Sequence, residues 1–188
     1  MCESAVISTI EIYEKISAEK RATPVKFHYL FNLRDVSKVI QGILMTKPVS
    51  INDGEVFSKL WAHEICRVFC DRLIDKEDTD WFIEQVMEKL NGNFKSSLEL
   101  NDLFGETKIM FADVLKLDAP IRLYEEIRDK NKLVKQLNSS LEDYNFSSSN
   151  KMNLVFFEDA VLHTLRIVRT LRQPRGNIML IGVGGSGK

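Results

Sequence analysis

The residues best placed to do chemistry lie at the far end of the chain, in Gly182-Val183-Gly184-Gly185-Ser186-Gly187-Lys188. Their spacing is GxxxxGK, the body of a phosphate-binding loop. Glycines let a backbone take positive φ and bring several N–H groups against phosphate oxygens. The lysine adds a cation that reaches terminal phosphates. An apolar run, Asn177-Ile178-Met179-Leu180-Ile181, leads into the loop and reads as a buried strand. A helix after the loop would aim its positive dipole end at the same anion. That helix, and the Ser or Thr that would hold magnesium, belong to positions beyond Lys188.

No other stretch offers a comparable constellation. Leu154-Val155-Phe156-Phe157-Glu158-Asp159 imitates the strand that carries the acidic residue of a phosphate-loop ATPase. That strand normally follows the phosphate loop, and this run precedes it, so it reads as the start of an amphipathic helix. Arg166, Arg169, Arg172 and Arg175 climb the end of that helix, where cations meet its dipole. Without interleaved aromatics they read as surface charge and not as a nucleic-acid patch. His28, His63 and His163 stand apart from any Ser, Cys or carboxylate constellation and read as packing or surface residues. Cys66 and Cys70, four apart on one helix face, read as core-filling thiols of a reduced compartment, with no zinc implied. No nucleophile triad or carboxylate pair calls for acid–base catalysis, so no catalytic residue or metal ligand is assigned.

The elements that must carry these residues are mostly helical. Val6 or Ile7, Ile10, Tyr13 or Glu14, and Ile16 predict an amphipathic helix over 3–20. Pro24 breaks it, and Val25–Phe31 reads as a short extended segment. Asn32 predicts a cap with Asp35 in the first turn, for a helix from Arg34 to Met45 that carries Val36, Val39, Ile40, Ile43 and Leu44 inward. Asn52, with Glu55 three residues on, predicts the cap of a helix with a broad apolar face: Phe57, Leu60, Trp61, Ile65, Val68, Phe69 and Leu73. A charged turn over 75–80 separates it from a helix at Trp81–Leu90. Residues 93–118 read as irregular, with a short strand near Ile109–Phe111. Asp118 and Pro120 predict the start of a long helix to about Tyr144, carrying Ile121, Tyr124, Ile127, Val134, Leu137 and Leu141. A polar linker (145–150) and a helix from about Leu154 to Arg172, with Val161, Leu162, Leu165 and Val168 inward, complete the pattern.

Composition narrows the function classes. The chain has 188 residues, 26 basic and 27 acidic, for a net charge of −1; 44 % are apolar and 28 % charged. That is the balance of a soluble globular protein of one or two small domains. The balanced charge argues against a general nucleic-acid binder. No apolar run approaches the roughly 18 residues of a membrane helix, and the first ten residues lack a signal-peptide or myristoylation pattern.

Two stretches carry a family resemblance. Thr23 to Gly42, with Phe31-Asn32-Leu33-Arg34-Asp35 as its specific part, resembles the end of the third AAA+ module of axonemal dynein heavy chains. Gln173 to Lys188 resembles the start of the fourth module's nucleotide site. Leu60–Leu73 and Met152–Leu171 also look like dynein, in the right order, so the resemblance covers nearly the whole chain. It implies a mainly α fold: a helical AAA+ lid bundle (1–115, with the C-terminal part of the third module), then the truncated start of an α/β P-loop AAA+ module (116–188) ending in the Walker A loop. It implies ATP phosphate binding by Gly182, Val183, Gly184, Gly185, Ser186, Gly187 and Lys188, magnesium with its ligand position outside this chain, and a sensor-2-like role for Arg34. A fixed guanidinium can stabilise phosphate oxygens and couple lid position to nucleotide state; the plain alternative is a surface ion pair with Asp35 or a nearby acid.

The implied parent is an ATP-driven microtubule motor of cilia or flagella. Its partners would be the rest of the heavy-chain ring, microtubules, and dynein intermediate and light chains, with no nucleic acid and no membrane. The implied setting is cytoplasm, cytoskeleton and ciliary axoneme. The 188-residue chain alone is not expected to hydrolyse ATP. It is expected to be marginally stable, because a piece cut across two modules exposes apolar faces. The rival reading is a non-catalytic helical interaction module or a truncated isoform.

Overall fold

A computed structural model describes residues 1–105, 108–117 and 119–182. The chain divides into two compact units, Met1–Arg128 and Asp129–Lys188. The first holds α1 (Cys2–Glu19), α2 (Leu33–Ile43), α3 (Gly54–Val68), α4 (Lys76–Gly92), the short α5 (Leu100–Phe104), and a two-stranded antiparallel ribbon of β1 (Phe111–Ala112) and β2 (Glu125–Glu126). The second holds α6 (Lys130–Ser147) and α7 (Glu158–Arg172).

Helix α3 is the centre of the first unit. It buries Phe57, Leu60, Trp61, Ile65 and Val68, but also Ser58, His63, Glu64 and Cys66. A helix covered on nearly all sides needs partners all round. It packs against α2, which also meets α1, and α1 in turn contacts α4. Ile12, Ile16, Trp61, Ile65, Phe69, Phe82 and Leu90 are fully enclosed. Each such side chain contributes about 1.5–3 kcal/mol by leaving water. The Trp61 ring lies 4.8 Å from that of Phe94, which brings the segment after α4 onto the core.

Several boundaries differ from the sequence reading. Helix α1 buries Ala5, Ser8, Thr9, Ile12 and Ile16, while Val6, Ile7 and Ile10 are each more than two-fifths exposed. The cause is polar: the Trp61 indole N–H donates to Thr9 Oγ1 at 3.0 Å, and Thr9 donates to the Ala5 carbonyl at 2.6 Å. A satisfied Thr therefore occupies the inner face. Residues 25–31 form bends and a turn, not an extended segment, because Tyr29 folds inward while Val25 and Phe27 stay exposed. Leu44 is likewise exposed. Asp53, not Asn52, caps α3, accepting from the Val56 N–H at 2.8 Å. The acidic stretch after Asp75 is the first turn of α4, where Glu77 and Asp78 sit at the positive end of the helix dipole.

The long helix expected from Asp118 starts only at Lys130, with Asp129 as its cap, accepting from the Asn131 and Lys132 N–H groups. Asp118 lies outside the described residues. The segment before Asp129 is held otherwise: β2 pairs with β1, and Tyr124 and Ile127 are buried there. Helix α6 also runs on through 145–147, part of the expected linker, and α7 begins at Glu158, so Leu154–Phe157 precede it. Val161, Leu162 and Leu165 are buried as expected.

Residues 177–182 form no strand; Met179, Leu180 and Ile181 are all more than half exposed. A buried strand needs a neighbouring strand to pair its backbone N–H and C=O groups, and the described residues contribute only the β1–β2 ribbon. No helix is long and apolar enough to cross a membrane among the described residues.

Candidate functional site

Arg34 is the second residue of α2, and the sequence sets it there. The Asn32 side chain accepts from the Arg34 N–H at 2.9 Å, and the Asn32 N–H donates to Asp35 Oδ2 at 3.0 Å. This reciprocal box satisfies amides that would otherwise have no helical partner. The Arg34 side chain is exposed and makes no ion pair among the described residues. Asp35, its expected surface partner, is turned inward and almost fully buried, and there it meets Arg72 at 3.0 Å and Lys38 at 3.7 Å. The geometry therefore leaves an exposed cation on a capped helix start.

Arg72, at the end of the short 3-10 turn Cys70–Arg72, was not singled out by the sequence pattern. One Nη donates to Asp35 Oδ2 at 3.0 Å; the other donates to the carbonyls of Leu30 and, at 3.4 Å, His28. Its guanidinium lies 4.6 Å from the Phe31 ring centroid, within cation–π range. His28 answers by placing Nε2 2.9 Å from the Arg72 carbonyl. Arg72 thus ties both ends of the Phe31-Asn32-Leu33-Arg34-Asp35 stretch, through the Phe31 ring and the Asp35 carboxylate.

A second polar cluster anchors the connector that precedes α2. Asp78 receives Lys20 at 2.8 Å, Lys26 at 2.6 Å and the Tyr29 hydroxyl at 2.9 Å. Lys26 also pairs with Asp75. Burial alone would raise the Asp78 pKa, but the hydrogen bonds from Lys20, Lys26 and Tyr29 outweigh it and bring it down to about 2. The hydrogen bonds to Asp75 and Asp78 hold Lys26 above its ordinary value. Burial raises the Tyr29 pKa, the Ile74 N–H opposes this, and Asp78 adds to it.

A third cluster fastens the ribbon to α3. The Tyr124 hydroxyl donates to Glu64 Oε1 at 2.7 Å, with Glu64 fully enclosed. His63 Nδ1 lies 3.3 Å from the Ile109 carbonyl. Lys59 reaches Glu126 at 3.7 Å. Nothing in the periodicity marks Glu64 or Tyr124 as partners, since they are 60 residues apart. Cys66 and Cys70 behave as core residues: the hydrogen bond with Cys70, then burial, push the Cys66 thiol well up. Among the described residues no group of His, Cys, Asp and Glu side chains could hold a metal.

Of the expected phosphate loop, Gly182 is described, while Val183, Gly184, Gly185, Ser186, Gly187 and Lys188 lie outside the described residues. The turn that delivers the chain toward the loop is specific. Arg175 has φ 57°, and a Cβ on Gly176 would fall 1.9 Å from the Thr170 carbonyl oxygen. Only glycine lets the chain fold back against the end of α7 there. Arg34 belongs to the first compact unit and Gly182 to the second.

Comparison with known proteins follows the same division. Residues 5–105 match the AAA+ lid domain, and residues 152–188 match the P-loop containing dynein motor region D4. Dynein axonemal heavy chain 1 of Rattus norvegicus is 44 % identical over 100 % of this chain, and dynein axonemal heavy chain 6 of Homo sapiens is 42 % identical over 98 %. The dynein-1-beta heavy chain of the flagellar inner arm I1 complex of Chlamydomonas reinhardtii is 40 % identical over 100 %. The chain spans about 4 % of the length of each of these relatives.

Proposed function

This chain belongs to the AAA+ lid family and is homologous along its length to axonemal dynein heavy chains, and from that premise we propose that it contributes lid and nucleotide-binding elements to an ATP-driven microtubule motor of cilia or flagella. In this reading residues 1–115 are the end and lid of the third AAA+ module. Residues 116–188 begin the fourth, whose first segment, 116–128, lies in one compact unit with the lid.

Arg34 serves the third nucleotide site. The observation that carries this role is its placement: an exposed cation on a capped helix start, with the neighbouring carboxylate drawn away to Arg72 and Lys38. A guanidinium without a nearby competing anion is set to donate to phosphate oxygens, and its rigid base converts that contact into a lid position. Gly182–Lys188 hold the phosphates of the fourth site through backbone N–H groups and the lysine ammonium. ATP, when bound, supplies those phosphates and the free energy of their hydrolysis, with magnesium as counter-ion. The partners are the remaining ring, microtubules, and dynein intermediate and light chains, in the ciliary axoneme.

The test is photolabelling of the intact heavy chain with 8-azido-ATP, followed by mapping of the labelled peptides. Arg34→Ala should lower labelling of the third module by about tenfold, the factor that about 1.4 kcal/mol represents. It should leave the first module's labelling unchanged. Equal labelling of the third module in variant and wild type would refute the role.

A further inference from the structure

The side chain that fixes Arg34 is itself distant in sequence, and we infer that Arg72 is a positioning residue for the third nucleotide site, acting on nucleotide only through Arg34. The inference rests on the phosphate-contacting reading of Arg34 and adds the element that sets its aim.

Arg72 makes four kinds of contact, with His28, Leu30, Phe31 and Asp35, in the segment that leads into α2 and in its first turn. It bonds Asp35 Oδ2 at 3.0 Å, the same oxygen that accepts the Asn32 N–H at 3.0 Å. It donates to the carbonyls of Leu30 and His28, which fixes the backbone that enters the cap. It lies against the Phe31 ring at 4.6 Å. Its own carbonyl is met by His28 Nε2 at 2.9 Å, which closes the loop between the two segments. A planar fork with five donors can satisfy a carboxylate and two carbonyls at once while stacking on a ring; an ammonium cannot. The guanidinium therefore sets the position and direction of the α2 N-terminus relative to α3, and Arg34 is the second residue of that terminus.

Arg72 is also well placed to stay fixed itself. It ends the 3-10 turn that directly follows Phe69, and Phe69 is fully enclosed in the core. The path from the core to the exposed cation is then short: Phe69, the turn, Arg72, Asp35, Arg34. Arg72 points inward to the cap and is not needed as a phosphate ligand.

The prediction is non-additivity, because residues that act through one another do not contribute independently. In the intact heavy chain, 8-azido-ATP labelling of the third module is compared for wild type, Arg34→Ala, Arg72→Lys and the double variant. Arg72→Lys keeps the charge beside Asp35 but loses the fork and the stack. It should lower third-module labelling about three- to tenfold, and Arg34→Ala about tenfold. The double variant should match Arg34→Ala alone. Phe31→Leu, which removes the ring under the guanidinium, should lower labelling about two- to threefold, and it decides the matter if Arg72→Lys yields no assembled ring. Wild-type labelling in both Arg72→Lys and Phe31→Leu, or a double variant that multiplies the two single effects, would overturn the positioning role while leaving Arg34 in place. No effect of Arg34→Ala would instead overturn the reading of Arg34, and the positioning role with it.

Discussion

Arg72 Nη1 lies 3.0 Å from Asp35 Oδ2, across 37 residues of sequence, and the same carboxylate oxygen caps the Asn32 N–H. One oxygen thus joins a helix start, the loop that enters it and the turn that ends α3. Asp35 is almost fully buried, so its charge is satisfied from within the protein and not by water.

Removing that carboxylate should therefore cost more than an ordinary surface substitution. Asp35→Ala loses the reciprocal cap and leaves the partly buried Arg72 without its anion. Losses of about 2–3 kcal/mol are expected from the cap and the broken pair together. Urea unfolding of the 188-residue chain, followed by circular dichroism, checks this; a midpoint equal to wild type would contradict it.

Asp78 predicts an acid-dependent stability. Its folded pKa of about 2 lies below the ordinary 3.8, so the group favours folding where it is ionised in both states. That contribution is complete above about pH 4 to 5 and fades as pH falls through 4 toward 2. It amounts to at most about 2 kcal/mol. Asp78→Asn should lower the urea midpoint at pH 6 and flatten its decline between pH 5 and 2. A variant profile parallel to wild type over that interval would count against the network.

Thr9 and Trp61 form a buried hydrogen bond at 3.0 Å, and both residues are fully enclosed. Thr9→Val keeps the shape and removes the acceptor, leaving the indole N–H unsatisfied. The expected loss is about 1–3 kcal/mol. Thr9→Ser, which keeps the hydroxyl, should recover part of it. Thermal unfolding of the two variants separates the hydrogen bond from packing, and a Thr9→Val midpoint equal to wild type would argue that the bond contributes nothing.

Tyr124 should hold the ribbon on α3. Tyr124→Phe leaves the ring in place beside Phe111 but takes the 2.7 Å donor from Glu64. Amide exchange should accelerate over 109–128, including the Ile127 N–H that donates to the Met110 carbonyl at 2.8 Å. Exchange in α1 and α4 should be unaffected. Unchanged protection of the Ile127 amide would show that pairing with β1 holds the ribbon without Tyr124.

How far the sequence foretold this arrangement varies with the range of the interaction. The Asn32 cap and Asp35 were legible because a capping box is local, three residues from end to end. The broad face of α3 was legible because Leu60, Trp61 and Ile65 recur at helical spacing. The inner face of α1 was not, since Thr9 is buried by a hydrogen bond to a residue 52 positions away. The helix expected from Asp118 failed for a related reason: Tyr124 and Ile127 satisfy a helical pattern equally well, but β1 pairs with that segment. Arg34 stands in a short local motif, whereas the contacts of Arg72 with Asp35 and Phe31 exist only once α3 and α2 lie side by side. The apolar run before the phosphate loop suggested a buried strand, but residues 177–182 form none and Met179, Leu180 and Ile181 are exposed, because apolarity alone supplies no strand partners.

Arg34 is proposed to contact phosphate in the third module, and a structure of the intact heavy chain with ADP at that site is the decisive measurement. An Arg34 guanidinium nitrogen is expected at about 2.7–3.2 Å from a phosphate oxygen, with Arg72 still joined to Asp35. An Arg34 side chain directed to solvent beside an occupied third site, with no hydrogen bond to the nucleotide, would contradict it.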